Sequence, residues 1–119
     1  QVGRWLSSVK EWYVPYVRPQ ENGGCSDVRW LELTDTRGHG LRIVLDQPRQ
    51  VSVTHFLAAD LAAATHDVEL RPRPESIVHI DAAHRGLGTA SCGPDTLPEY
   101  IVGPGTYRWS WTLSHVEAE

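Results

Sequence analysis

The sequence predicts an all-β fold: an antiparallel β-sandwich with one short helix. Three observations lead there. Short runs rich in Val, Ile, Leu, Thr and Trp recur along the chain, and Gly, Pro and Asn turn signals separate them every eight to twelve residues or so. Only residues 57–65 (LAADLAAAT) carry helical spacing, with Leu57, Leu61 and Ala64 on one stripe. The run 106–113 alternates in strict period two, Tyr107, Trp109, Trp111 and Leu113 against Arg108, Ser110 and Thr112, which predicts one buried and one solvated face. A chain of 119 residues suits a single domain over 1–119, able to bury roughly two-thirds of its unfolded surface.

The elements follow in order. Residues 1–27 hold Trp5, Trp12, Tyr13 and Tyr16, with Pro15 and Pro19 interrupting regular pairing, so they read as an extended entry segment. Glu21-Asn22-Gly23-Gly24 is a turn, because Asn-Gly is a strong turn pair. Residues 28–34 form a strand. Arg29, Leu31 and Leu33 face one way and Val28, Trp30 and Glu32 the other, so cover is expected on both sides. After a turn at 36–40, a strand at 41–45 puts Leu41, Ile43 and Leu45 on one face. Pro48 ends it, and a separate strand follows at 51–56. The helix at 57–65 carries Asp60 near its start, where a carboxylate suits the dipole. It is too short to stand without tertiary packing. A short strand is expected at 66–70, an extended loop at 71–74 (RPRP), a strand opening at Ile77, and a turn at 103–105 before the last strand. Residues 114–119 are a polar tail.

Bulk properties exclude several function classes. A net charge of −4 without any basic run argues against a nucleic-acid or anionic-membrane surface. No stretch has the length of a transmembrane helix, and the start does not read as a signal peptide. Cys25 and Cys92 do not form a disulfide framework and read as free thiols. The absence of methionine points to a processed or excised piece of a longer chain. Five tryptophans and four tyrosines stand against one phenylalanine. That balance suits sugar stacking and wet interfaces as well as a small β core.

The chain is organised around residues 77–96 (IVHIDAAHRGLGTASCGPDT). A strand, with Ile77, His79 and Asp81 on one side, ends in a loop containing Gly86, Gly88, Gly93 and Pro94. Such dense conformational instruction marks a loop that presents side chains. It offers His84, Arg85, Thr89, Ser91, Cys92 and Asp95 to a polar ligand or a neighbouring domain. A structured turn without a ligand is the alternative. His79, Asp81 and His84 bring metal ligation to mind, but a firm site needs further ligands and second-layer partners, so no metal site is assigned. Cys92 has no histidine partner that sequence can supply. A retaining glycosidase needs two carboxyl groups about 5 Å apart. Glu21, Asp81, Asp95 and Glu99 are present, yet nothing in the spacing pairs two of them, so no catalytic residue is assigned.

Residues 84–96 (HRGLGTASCGPDT), 16–33 (YVRPQENGGCSDVRWLEL) and 97–111 (LPEYIVGPGTYRWSW) together resemble the C-terminal end of the large bacterial β-galactosidases of glycoside hydrolase family two. The resemblance runs from about Arg4 to Leu113. It implies the latter half of a C-terminal β-supersandwich of galactose-mutarotase type. It also implies that the catalytic glutamates lie in a barrel domain outside this chain, that Mg and Na ions are bound elsewhere in the parent and none here, and a cytoplasmic location. In relatives, an aromatic residue of this loop helps to form the sugar pocket. Cys92, or Ser91, holds the matching place, which removes the stacking face. His84, Arg85 and Asp95 remain as polar contacts, so the expected substrate-binding set is His84, Arg85, Ser91, Cys92 and Asp95.

The resulting expectation is an inactive piece of a retaining β-galactosidase. Its partners are a β-galactoside and the remaining domains of its parent, with neither nucleic acid nor membrane. Alone, it is expected to self-associate through uncovered apolar surface. An independent carbohydrate-binding β-sandwich, favoured by the Trp and Tyr excess, and a purely structural interaction module are the rival readings.

Overall fold

The longest element is a strand where the sequence suggests two. The computed structural model describes residues 2–85, 90 and 92–118. Its strands are β1 (Cys25–Thr34), β2 (Gly40–Thr54), β3 (Ile77–Ile80) and β4 (Trp111–Val116). The helices are short: α1 (Val9–Trp12), α2 (Ala58–Ala63) and single 3-10 turns at Asp67–Glu69 and Pro98–Tyr100. The fold class is therefore the all-β, antiparallel, sandwich-like one that the sequence predicts. β2 runs straight through Pro48, contrary to the expected break. Proline's fixed φ is compatible with extended backbone, and only its missing N–H limits pairing. The expected strand at 66–70 is instead a 3-10 turn at Asp67–Glu69.

The chain divides into two compact units, Gln1–Cys25 with Val51–His79, and Ser26–Gln50 with Ile80–Glu119. In the first, Phe56, Leu61 and Leu70 form a buried cluster against which Tyr13 and Ala64 pack. The Tyr13 and Phe56 rings sit 5.1 Å apart, tilted by 59°. The Tyr13 hydroxyl donates to Asp67. Burial first, and then this bond, push the phenol up to about 12. α2 is held at its start by Asp60, which accepts from the Leu57 N–H at 2.9 Å and takes both arms of Arg73 at 2.6 and 2.7 Å. Arg73 in turn donates its backbone N–H to the His55 carbonyl at 2.8 Å. The extended 71–74 segment is thereby fastened to both strand and helix. Residues 21–24, where the Asn-Gly turn is expected, form neither a hydrogen-bonded turn nor a bend. Asn22 pairs its side-chain amide with the backbone of Val14 at 3.1 and 2.8 Å, and Gly23 has φ of +75°.

In the second unit β1 and β2 are joined by a tight turn. The Asp35 carboxylate accepts from the N–H groups of Arg37 and His39 at 2.8 and 3.0 Å. Gly40 opens β2 against the backbone of β1, and a Cβ there would collide with the Leu33 carbonyl and Thr34. β4 pairs antiparallel with β2, from Gly40↔Val116 to Leu45↔Trp111. Residues directly opposite share a face, so Leu41, Ile43 and Leu45 line up with His115, Leu113 and Trp111. Ile43 and Leu45 are buried, but Trp111 and Leu113 are 50% and 49% exposed. Two expectations thus fail. The last strand begins at Trp111 rather than at 106, and the alternating face of Tyr107, Trp109, Trp111 and Leu113 is not buried. Alternation shows which residues share a face; it does not supply the layer that covers them. On the other face Arg42 lies 4.6 Å over the Trp30 ring and pairs with Glu32 at 3.3 Å, a cation–π contact closed by a charge.

Candidate functional site

The loop that leaves β3 is fixed at its root by β2. The Asp81 N–H donates to the Gln50 carbonyl at 3.0 Å. One residue earlier on β2, Arg49 donates from Nη1 to the Ala82 carbonyl at 2.8 Å. Its other donors, Nε and Nη2, grip both carboxylate oxygens of Asp46 at 2.8 Å each. Arg49 is 7% exposed. A guanidinium so far from water needs a paired carboxylate and satisfied donors. Asp46 supplies the charge, and the bond from Arg49 is the main reason its carboxyl is held down at about 2. Asp46 also exchanges bonds with Ser110: its N–H reaches the Ser110 carbonyl at 3.1 Å, and its Oδ2 accepts from the Ser110 N–H at 3.1 Å.

Further out, the loop is closed across its own neck. Arg85 pairs through Nη2 with Asp95, and its Nε donates to the Thr96 hydroxyl at 3.3 Å. Asp95 also accepts from the Thr96 N–H at 2.6 Å. The Arg85 guanidinium, followed by that N–H, lowers the Asp95 carboxyl below its usual range. Thr96 is buried. His84 stands 4.0 Å from Asp81 through Nε2. Cys92 is an exposed free thiol and Cys25 a partly buried one. The structure thus brings Arg85 and Asp95 together, leaves His84 and Cys92 exposed, and gives no position for Ser91, which lies outside the described residues along with Gly86 and Gly88. At the neck the Arg85 and Asp95 charges cancel, and both side chains remain about half exposed.

His79, in the first unit, serves a different purpose. Its Nδ1 is 2.8 Å from Glu21 and 3.2 Å from the Ser52 hydroxyl. Serine, histidine and glutamate thus meet, but both oxygens converge on the same ring nitrogen. A nucleophilic triad needs the acid on one nitrogen and the serine on the other. This cluster is therefore a hydrogen-bonded support for β3. Among the described residues no group of three or more His, Cys, Asp or Glu side chains could hold a metal ion. An open hollow in the first unit is lined by Asp60, Ala64, Leu70 and Arg71, and Asp60 is held by Arg73.

Comparison with known proteins decides the family. The model of the beta-galactosidase small chain matches residues 1–113. The chain belongs to that family. It is 39% identical over 108 residues to a beta-galactosidase of Arthrobacter sp. (strain B7), covering 87% of this chain and 11% of the relative. It is 34% identical over 118 residues to a beta-galactosidase of Leuconostoc mesenteroides, covering 98% of this chain and 11% of the relative. The chain thus spans about a tenth of the length of the curated relatives it matches.

Within this small-chain domain, sequence reading finds the loop but misses what holds it. Asp46, Arg49 and Thr96 draw no attention as a D-x-x-R spacing and a lone threonine, because Arg and Asp on a strand usually face water. The signal that could have found them is Pro48 beside them, which keeps the strand extended while Arg49 turns inward.

Proposed function

We propose that this chain is the C-terminal part of a retaining β-galactosidase of glycoside hydrolase family two, and that its 82–96 loop faces the sugar. The observation that carries the reading is the match of the beta-galactosidase small chain over residues 1–113 in a chain one-tenth the length of its relatives. The remaining domains of such a parent supply the two carboxyl groups that a retaining mechanism requires. This domain supplies His84, Arg85 and Asp95, with Ser91 and Cys92, as the polar wall of the pocket. The Arg85–Asp95 pair supports that role: each side chain is about half exposed, at 48% and 57%, and their opposite charges leave hydrogen bonding rather than ionic attraction for a neutral galactoside. The parent enzyme is cytoplasmic in this reading.

The test has two arms. The 119-residue chain alone does not hydrolyse a chromogenic β-galactoside above background. The longer polypeptide that contains it does, and NMR detects β-galactose as the first-formed product. Turnover by the short chain that disappears on mutating one of its own carboxylates would overturn the assignment, as would inverted product from the longer one.

A second reading has its own observation. Trp109 and Trp111 are 46% and 50% exposed, and half-exposed indoles suit stacking on sugar faces. An independent carbohydrate-binding module would show saturable Trp quenching by galactosides in the 119-residue chain, abolished in Trp109→Ala or Trp111→Ala. A flat titration removes it.

A further inference from the structure

We propose that Arg49 is a positioning residue for the chain leaving β3, setting where it departs from the sheet at Ala82 and therefore where His84 and Arg85 stand. This rests on the reading above, that the loop faces the sugar. Three features single out Arg49. It is a strand arginine with almost no exposure. All three of its bonds are at 2.8 Å: two to the Asp46 carboxylate and one to the Ala82 carbonyl. That carbonyl lies just beyond the end of β3, where ladder pairing no longer dictates the backbone.

The geometry resembles a bracket. The Gln50 carbonyl takes the Asp81 N–H, and Arg49 takes the Ala82 carbonyl, so two peptide groups of the departing chain, one apart, are both fixed by consecutive residues of β2. Asp46 holds the guanidinium in plane by its bidentate grip, and its own bonds to Ser110 tie the bracket to the segment entering β4. Two residues beyond Ala82 comes His84 and then Arg85, whose own pairing with Asp95 closes the neck. A lysine cannot reproduce this arrangement, because a single ammonium lacks the planar fork that serves a carboxylate and a carbonyl at once. A bond to a charged donor is worth enough that its loss shifts a local equilibrium by about tenfold to a hundredfold.

Two measurements test the proposal. In the 119-residue chain, amide exchange by NMR in Arg49→Gln and Arg49→Lys is expected to accelerate at Asp81 and Ala83 by about tenfold or more, while the amides of residues 40–45 in the β2–β4 ladder keep their rates. Uniform acceleration through that unit, or none at Asp81, overturns the bracket. Arg49→Lys retains the buried charge, so the comparison survives if Arg49→Gln fails to fold. In the longer β-galactosidase polypeptide, Arg49→Lys is expected to raise KM about tenfold with kcat little changed, in parallel with His84→Ala. A KM moved by His84→Ala but not by Arg49→Lys overturns the positioning role alone. A KM moved by neither overturns the reading of the loop as sugar-facing.

Discussion

At Tyr13 a single hydroxyl connects the entry segment to the 3-10 turn that follows α2. Its partner is the Asp67 carboxylate, so ionising the phenol would set two negative charges against each other. Burial is the larger reason against the phenolate. The folded state therefore prefers the neutral phenol, and its pKa rises from 10.0 to about 12. A raised pKa stabilises fully below the unfolded value, and that contribution disappears as pH climbs from 10 through 12. A spectrophotometric titration is expected to show a late tyrosinate step near pH 12. Tyr13→Phe should remove both that late step and the alkaline loss of stability. A titration with no step near pH 12 would show that the Asp67 contact does not persist in solution. The loop residues make a parallel case in the longer enzyme. His84→Ala or Arg85→Ala is expected to raise KM or lower kcat, because these groups flank the neck. His39→Ala in the β1–β2 turn and His115→Ala near the end of β4 should leave both constants unchanged. Equal and negligible effects of all four substitutions would reduce the loop to scaffolding.

The strands show where close approach rather than propensity sets the sequence. Gly40 begins β2 so near β1 that a methyl group would strike the Leu33 carbonyl and the Thr34 Cα, whereas a Cβ on Gly103 would meet nothing within 4 Å. Gly40→Ala is therefore expected to destabilise by roughly 1–3 kcal/mol through forced backbone displacement. Gly103→Ala should stay within about 0.5 kcal/mol of the parent. Equal denaturation midpoints for the two variants would mean that the hairpin yields without penalty. These elements also show how far the sequence can be read. The helix is legible at 57–65, and α2 occupies Ala58–Ala63, because its periodicity and Asp60 are local signals. The hairpin turn is legible for the same reason. Pro48 misleads because a residue that prohibits one hydrogen bond is easily mistaken for one that prohibits extension. Residues 106–110 mislead because their alternation is that of a strand, yet a ladder requires a neighbour, which β2 provides only as far as Leu45↔Trp111. Gly86 and Gly88, on which the reading of the loop rests, lie outside the described residues. The residues that fasten its root, Asp46 and Arg49, depend on a pairing between distant segments that no local pattern encodes.

Across the molecule the apolar surface exceeds what the chain covers. In the second unit Leu41, Val44, Tyr107, Trp109, Trp111 and Leu113 are between 42% and 50% exposed. Leu41, Leu113 and Trp111 share the face on which Ile43 and Leu45 are buried. Residues of the entry segment in the first unit, Trp5, Leu6 and Val17, are more exposed still. An uncovered apolar patch of roughly 300 Å² costs about 7 kcal/mol relative to a covered one, and monomeric proteins rarely keep larger ones. In a β-galactosidase the remaining polypeptide is the natural cover. In the 119-residue chain by itself another copy can take that place, most simply through a two-fold contact in which β4 or its apolar face meets its equivalent. Self-association is therefore expected at micromolar concentration, and Trp111→Lys or Leu113→Lys should weaken it by placing like charges across the axis. Light scattering reads the outcome directly. A mass of one chain that does not change with concentration, together with no binding of a hydrophobic dye, would mean that these side chains find cover within the chain itself and that the β2–β4 face needs no partner.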